Sequence, residues 1–250
     1  MISKAFVINM PSSYERLEAI SSQLKELNFT FETVPGVDLK LEPHLKDFYS
    51  VQDNIKNFYY PLSDGEIGCF LAHKNVWKRI VENEINYGLL LEDDALVGDD
   101  LKNVLEVIDN LKIDWHIIKL TETNLKPRRT KNLFNIDGYD LVSYYKPPAS
   151  TCAYVISRSG AELLLSLSKK ISRPIDIDKQ WYVFKGLKIF GLKPYTVSQN
   201  FKFVSEIDRI KSRKEITSSL KIKRNIKRIL LSSEYRLSLI HISEPTRPLD

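Results

Sequence analysis

The feature that most limits how this chain can fold is a five-residue apolar run, Tyr87 to Leu91, that stops at three consecutive carboxylates, Glu92, Asp93 and Asp94. A short, uninterrupted apolar run bounded by charge reads as a central strand covered on both faces, which places it in an α/β sheet with helices above and below. Three carboxylates where such a strand emerges are costly to group, because like charges at close range resist joint ionisation. Spacing alone leaves two readings: solvated loop or capping residues, or a divalent-metal site. Hard ions such as Mg²⁺ and Mn²⁺ take oxygen ligands and bridge carboxylates to phosphates, and open α/β sheets bind ligands at the carboxyl ends of their strands.

The flanking sequence alternates strand and helix signals. Lys4 to Met10 reads as a buried strand. Ser12 and Glu15 stand at capping-box spacing before Leu17, Ile20, Leu24 and Leu27, which mark one helix face. Phe29 to Val34 alternates as a second strand, ended by Pro35 and Gly36. Residues 38–61 show no clear period and predict an irregular excursion. Ser63 and Glu66 form another capping box ahead of an apolar stripe through Ile67, Phe70, Leu71, Trp77, Ile80 and Val81. Gly65 and Gly68 there suit a tight turn into the helix and close packing. Further strands are expected at His116 to Leu120, Thr151 to Ser157, Lys188 to Phe190 and Tyr195 to Val197, with a helix from Ser159 to about Ser168. The expected fold class is α/β, with a mixed, mainly parallel sheet and flanking helices.

A chain of 250 residues can bury one large core. No apolar run approaches the roughly 18–20 residues of a membrane span, and the N-terminus lacks secretory-signal features, so a cytoplasmic protein is expected. The two cysteines, Cys69 and Cys152, lie in apolar segments and read as buried thiols, suggesting neither a disulfide framework nor a thiolate metal site. The net charge of +5 is concentrated near the C-terminus, where residues 202–236 hold 11 Lys or Arg against 4 Asp or Glu. Within it, Ile216, Leu220, Ile222, Ile226, Ile229 and Leu230 fall roughly on one side of a helix, and Lys221, Arg224, Lys227 and Arg228 fall largely elsewhere. A basic amphipathic helix of this kind suits an anionic membrane surface better than nucleic acid, since no aromatic stacking platform accompanies it. A solvated packing helix is the plainer reading. Leu237 to Arg247 resembles the translation of a sequencing-library adapter, so residues 237–250 are set aside as an artefact.

Four segments in order, VINMPSSYER, LSDGEIGCFLAHKNVW, YGLLLEDDA and TCAYVISRSGAELL, resemble glycosyltransferase family 25, the lipopolysaccharide and lipooligosaccharide glycosyltransferases. The likeness runs from about Lys4 to Ile207. It implies a GT-A-like nucleotide-sugar-binding fold, a UDP-sugar donor, commonly UDP-galactose or UDP-glucose, a divalent metal (Mn²⁺ or Mg²⁺), and inversion at the anomeric carbon. Glu92, Asp93 and Asp94 then look like the family's version of the DxD motif, with Asp94 the direct metal ligand and Glu92 holding a metal water or the donor ribose. Asn9 and Arg16 match an N-terminal pattern beside the nucleotide, and His73 matches the family's S-H pair, although Ala72 stands where Ser is common. The PIDID segment resembles the region that supplies a general base, with Asp176 preferred and Asp178 second; both also suit helix capping. Gln199 and the Ser205, Glu206, Ile207 group match a late pattern in which Glu206 replaces the commoner Asp.

The expected organisation is a glycosyltransferase domain at 1–207, a basic amphipathic helical segment at 208–236, and the artefact at 237–250. The expected activity moves a hexose, galactose by preference, from UDP to a lipid-linked lipooligosaccharide or capsule glycan at the inner face of the cytoplasmic membrane. The rivals are a metal-dependent phosphoester hydrolase and a non-catalytic sugar-nucleotide-binding scaffold.

Overall fold

A computed structural model describes residues 4–122, 127–201 and 218–243. The chain opens with β1 (Lys4–Asn9), α1 (Tyr14–Glu26) and β2 (Phe31–Pro35). A 3-10 turn at Pro43–Phe48 and α2 (Val51–Asn57) then lead into α3 (Asp64–Glu82). The excursion expected to be irregular thus holds a short helix, capped by Ser50 Oγ accepting from Asp53 N. Next come β3 (Tyr87–Glu92), β4 (Ala95–Val97), α4 (Leu101–Asp109), β5 (Ile117–Lys119), β6 (Thr130–Ile136), β7 (Tyr139–Tyr144), β8 (Ala153–Ser157) and α5 (Arg158–Leu167). The described chain ends with α6 (Ile175–Tyr182), β9 (Ile189–Lys193), β10 (Val197–Gln199) and, further on, α7 (Ser218–Ser243). The expected Ser205, Glu206, Ile207 group and Ile216 lie outside the described residues.

Eight strands form one sheet in the order β2-β1-β3-β8-β5-β9-β7-β6, and β4 pairs with β10 beside it. Antiparallel pairing reverses β8 and β7, so the other six strands run in one direction in a mixed sheet. β3 lies inside the sheet between β1 and β8, as its apolar run requires, and its residues alternate between two cores. Leu90, Phe6, Tyr154 and Ile156 face the core that contains α3 residues Phe70, Val76 and Trp77. Leu89, Leu91, Val7 and Val155 face the opposite core, with Ile20 and Leu24 of α1 and Val104 and Ile108 of α4. Fully burying each such leucine stabilises the fold by about 1.5–3 kcal/mol.

The capping box on α3 forms: Ser63 Oγ accepts from Glu66 N at 3.2 Å, and Ser63 N donates to Glu66 Oε2 at 2.8 Å. The box expected at Ser12 and Glu15 does not. Ser13 is the N-cap of α1 and makes no side-chain cap bond. Asn9 Nδ2 reaches Ser13 O at 3.1 Å instead, tying the loop to the strand end. A Cβ added at Gly68 would lie 2.3 Å from Val37 O, so α3 packs against the segment after β2 through a glycine that nothing larger can replace without displacement.

α7 crosses the expected boundary at residue 236. It docks through Tyr235, which is buried and edge-packed on Trp181 and Phe184 at 5.5 and 4.8 Å between ring centroids. Ile222, Ile226, Ile229 and Leu230 all stay more than half exposed. Among the described residues, no helix is long and apolar enough to cross a membrane.

Candidate active site

The carboxylate triplet sits where β1 and β3 end together: Asp93 N donates to Ile8 O at 3.1 Å and Glu92 N to Cys152 O at 2.8 Å. Three partners converge on it from distant parts of the chain. Asn9 Nδ2 donates to Asp93 Oδ2 at 2.7 Å. Arg16, in the first turns of α1, brings a guanidinium nitrogen 2.5 Å from Asp93 Oδ1 and 3.6 Å from Asp94 Oδ2. Gln199 donates from Nε2 to Asp94 Oδ2 at 2.8 Å. Burial pushes the Asp93 carboxyl up to about 6, against the pull of Arg16 and Asn9. Burial, followed by the Glu92 charge, also raises Asp94. The triplet therefore stores the like-charge conflict that its sequence implies. Asp94 Oδ1 is buried without a hydrogen-bond partner among the described residues.

Glu92, in the same cluster, also joins a buried relay. Trp77 Nε1 donates to the Tyr154 hydroxyl at 3.0 Å, and that hydroxyl lies 2.9 Å from His73 Nδ1. His73 Nε2 in turn lies 3.1 Å from Glu92 Oε1. Indole N–H can only donate, so the Tyr154 oxygen accepts from Trp77; the ionised Glu92 can only accept, so the neutral imidazole is protonated on Nε2 and its Nδ1 takes the Tyr154 hydroxyl proton. His73 then carries its proton on Nε2 and donates it to Glu92. The electrostatics agree with a neutral imidazole beside a carboxylate. Burial lowers His73, whereas for Glu92 the upward push of burial is outweighed by His73, Thr151 and Lys179, leaving it below the ordinary value.

Two cavities meet at this relay. The first, of about 340 Å³, is bounded by Arg16, the 36–40 segment, Gly68, His73 and the triplet. The second, of about 400 Å³, is walled by Tyr59, Tyr60, Thr151 and Asp176. Cys69, Glu92 and Gln199 line both. Cys69 is accordingly only partly buried, unlike the expected core thiol, whereas Cys152 is buried.

The expected base residues separate. Asp176 lines the second cavity, with Oδ1 accepting from Ile177 N at 2.9 Å, and burial raises its carboxyl. Asp178 lines neither cavity: it pairs with Arg173 at 3.1 Å and accepts from the Tyr182 hydroxyl at 3.3 Å. Two lysines absent from the sequence expectations lie behind the site. Lys179 Nζ, 4.3 Å above the Tyr154 ring, is buried without a hydrogen-bond partner among the described residues. Burial, then the Lys119 charge, brings it down to about 7. Burial likewise holds Lys119 down to about 8. Only their positions one helical turn or one strand from acidic neighbours could have signalled them.

The model described as glycosyltransferase family 25 (LPS biosynthesis protein) matches residues 2–179, and the chain belongs to that family. A Haemophilus influenzae protein named as a glycosyltransferase is 32% identical over 209 residues, covering 78% of this chain and 70% of that protein. Human procollagen galactosyltransferase 2 is 25% identical over 228 residues, covering 77% of this chain but 34% of the relative's length. The mouse protein named inactive glycosyltransferase 25 family member 3 is 25% identical, covering 70% of this chain and 31% of its own length. This chain thus spans about a third of those longer relatives.

Proposed function

We propose that the protein transfers a hexose, galactose by preference, from a UDP-sugar to a hydroxyl of a lipooligosaccharide, lipopolysaccharide or capsule glycan, with inversion. The observation that carries this reading is the pair of cavities joined at Glu92 beside a carboxylate cluster. In a GT-A-like arrangement the donor diphosphate occupies the first cavity, against Asp93 and Asp94, and the acceptor occupies the second.

A hard divalent ion, Mn²⁺ or Mg²⁺, fits the donor site, because the buried Asp94 Oδ1 has no hydrogen-bond partner within normal distance among the described residues, the Cys152 thiol being the nearby weak donor to this carboxylate, and Glu92 lies next to it. When bound, such an ion supplies charge neutralisation for the departing UDP. Arg16 and Asn9 hold Asp93 in place, and Gln199 orients Asp94 through its other oxygen. In the second cavity, Asp176 is the base that takes the acceptor hydroxyl proton; its burial-raised carboxyl is a stronger base than an exposed aspartate. Tyr59 and Tyr60 line this cavity and give it an aromatic wall for an acceptor sugar. The relative that bears a procollagen galactosyltransferase name supports galactose as the first donor sugar to test.

The exposed Ile222, Ile226, Ile229 and Leu230, with Arg228 exposed among them, support peripheral attachment of α7 to an anionic membrane that presents a lipid-linked acceptor. The test of the transfer reading is UDP release from a panel of UDP-sugars with Mn²⁺, with and without truncated lipooligosaccharide. Acceptor-dependent UDP release that collapses in Asp94→Asn is expected. Absence of turnover with every donor overturns the reading, and phosphate release that needs no acceptor transfers it to the hydrolase rival.

A further inference from the structure

The junction of the two cavities carries a donor set that a hard-metal sugar-nucleotide site does not need. Cys69 and His73 are spaced i, i+4 on α3, so they project from one helix face, and Glu92 reaches the same point from the end of β3. Their ligand atoms, Cys69 Sγ, the His73 imidazole nitrogen and a Glu92 carboxylate oxygen, all lie within 4.8 Å of one another. Tetrahedral zinc with bonds of about 2.0–2.3 Å sets its ligand atoms roughly 3.3–3.6 Å apart, so movements of about an ångström close the set on an ion. His73 Nε2 and Glu92 Oε1, at 3.1 Å, are nearly there already.

We infer that Cys69, His73 and Glu92 form a binding site for a borderline-soft divalent ion, Zn²⁺, distinct from the hard-ion position at Asp94, with Glu92 adjoining both. Four arguments support the site and its ion. Thiolate and imidazole select zinc over magnesium or manganese, and three protein ligands with a fourth position open to a cavity match zinc sites that keep a water or take a substrate atom. All three residues line the first cavity, so an ion can enter from solvent. The outer partners are also present: Tyr154 lies on the far nitrogen of His73, at 2.9 Å, and Trp77 on Tyr154, at 3.0 Å, so the imidazole is held in place before the ion arrives.

Binding is balanced in protons. The Cys69 thiol releases one proton to solvent. The imidazole moves its proton from Nε2 to Nδ1, where the Tyr154 oxygen accepts it alongside the Trp77 N–H; the Tyr154 hydroxyl keeps its own proton, which rotates off Nδ1, and the Nε2 lone pair goes to the ion. Glu92 exchanges a hydrogen bond from His73 for a bond to the metal. Because Glu92 and Cys69 line both cavities, the ion sits where the two substrates must meet. Under the transferase reading Zn²⁺ therefore inhibits turnover, but occupancy of the site does not depend on that reading.

The test uses the full chain, freed of metal by chelation and without UDP-sugar, titrated with Co²⁺ as a spectroscopic stand-in for Zn²⁺. A near-ultraviolet thiolate-to-cobalt charge-transfer band is expected, erased by an equivalent of Zn²⁺ and left intact by Mn²⁺. Cys69→Ser and His73→Asn lose the band. Asp94→Asn keeps it, which separates this site from the donor-metal site and its failure from failure of the transferase reading. Wild-type protein gives a second measurement that needs no variant to fold: Zn²⁺, but not Mn²⁺, slows alkylation of Cys69 as mapped by mass spectrometry. A missing band, a band that survives Cys69→Ser, or alkylation of Cys69 at an unchanged rate in Zn²⁺ overturns the inference.

Discussion

Tyr154→Phe tests the relay that orients Glu92, because it removes one oxygen and leaves the ring in place. That oxygen serves two buried groups at once, accepting from Trp77 Nε1 at 3.0 Å and donating to His73 Nδ1 at 2.9 Å. Trp77, His73 and Tyr154 are all fully buried, so no solvent replaces the lost partner. A buried polar group left unpaired costs about 1–3 kcal/mol, and two such groups together cost about 2–6 kcal/mol. For a domain of this size each kcal/mol lowers Tm by about 2–4 °C, so a fall of at least about 4 °C is expected. Thermal unfolding followed by circular dichroism measures it, and urea unfolding gives the free energy independently. Nitrogen NMR of the imidazole adds a readout that simple loss of packing would not move: His73 Nδ1 loses its hydrogen-bond donor, while Nε2 stays protonated against Glu92. A variant within about 1 °C of wild type, with unchanged imidazole shifts, refutes the proton order assigned to the relay.

Two further outcomes are expected. Lys179 has a folded-state pKa near 7 and an ordinary value of 10.5, so between these limits the unfolded chain binds a proton that the folded chain does not; its contribution to stability therefore rises as pH rises through that window, opposed in the upper part by Cys69 and Cys152, whose burial-raised thiols keep protons that the unfolded chain has lost. Lys179→Met reduces the rise without abolishing it, since Lys119 is lowered in the same direction, and urea melts across the window in both proteins decide whether the slope differs. On α7, Ile226→Asp with Ile229→Asp leaves the Tyr235 dock untouched and places charge on residues already more than half exposed. Co-sedimentation with anionic vesicles is expected to fall while thermal stability stays unchanged; equal sedimentation removes the membrane assignment.

The elements easiest to read in the sequence were those whose local chemistry and tertiary setting agree. β3 announces itself because both of its faces are buried, and α3 because Ser63 and Glu66 close a cap ahead of a continuous stripe. The β6–β7 hairpin was legible in principle from Asp137-Gly138, whose φ values of 49° and 87° are those a two-residue type I′ turn demands. Its strand β6, however, is mostly exposed and shows no burial alternation, so periodicity is silent there. For α7 the pattern pointed to an apolar side, but the protein instead docks the helix by an aromatic residue, Tyr235, and leaves the aliphatic side facing outward.

The site follows the same division more sharply. Glu92, Asp93 and Asp94 are visible as a group, but their three tasks depend on partners that only the sheet brings near: Arg16 for Asp93, Gln199 for Asp94, His73 for Glu92. On α6 the failure is geometric. Asp176 and Asp178, two residues apart in one short acidic segment, read as alternative bases for one reaction. A helix turns about 100° per residue, so the two carboxylates point about 200° apart and cannot serve one site. Residues three apart do share a side, which puts Lys179, rather than Asp178, in electrostatic reach of Asp176. The helical period therefore divides the segment in two: Asp176 belongs to the cavity, with a buried lysine behind it, and Asp178 belongs to the packing of α6 against Arg173 and Tyr182.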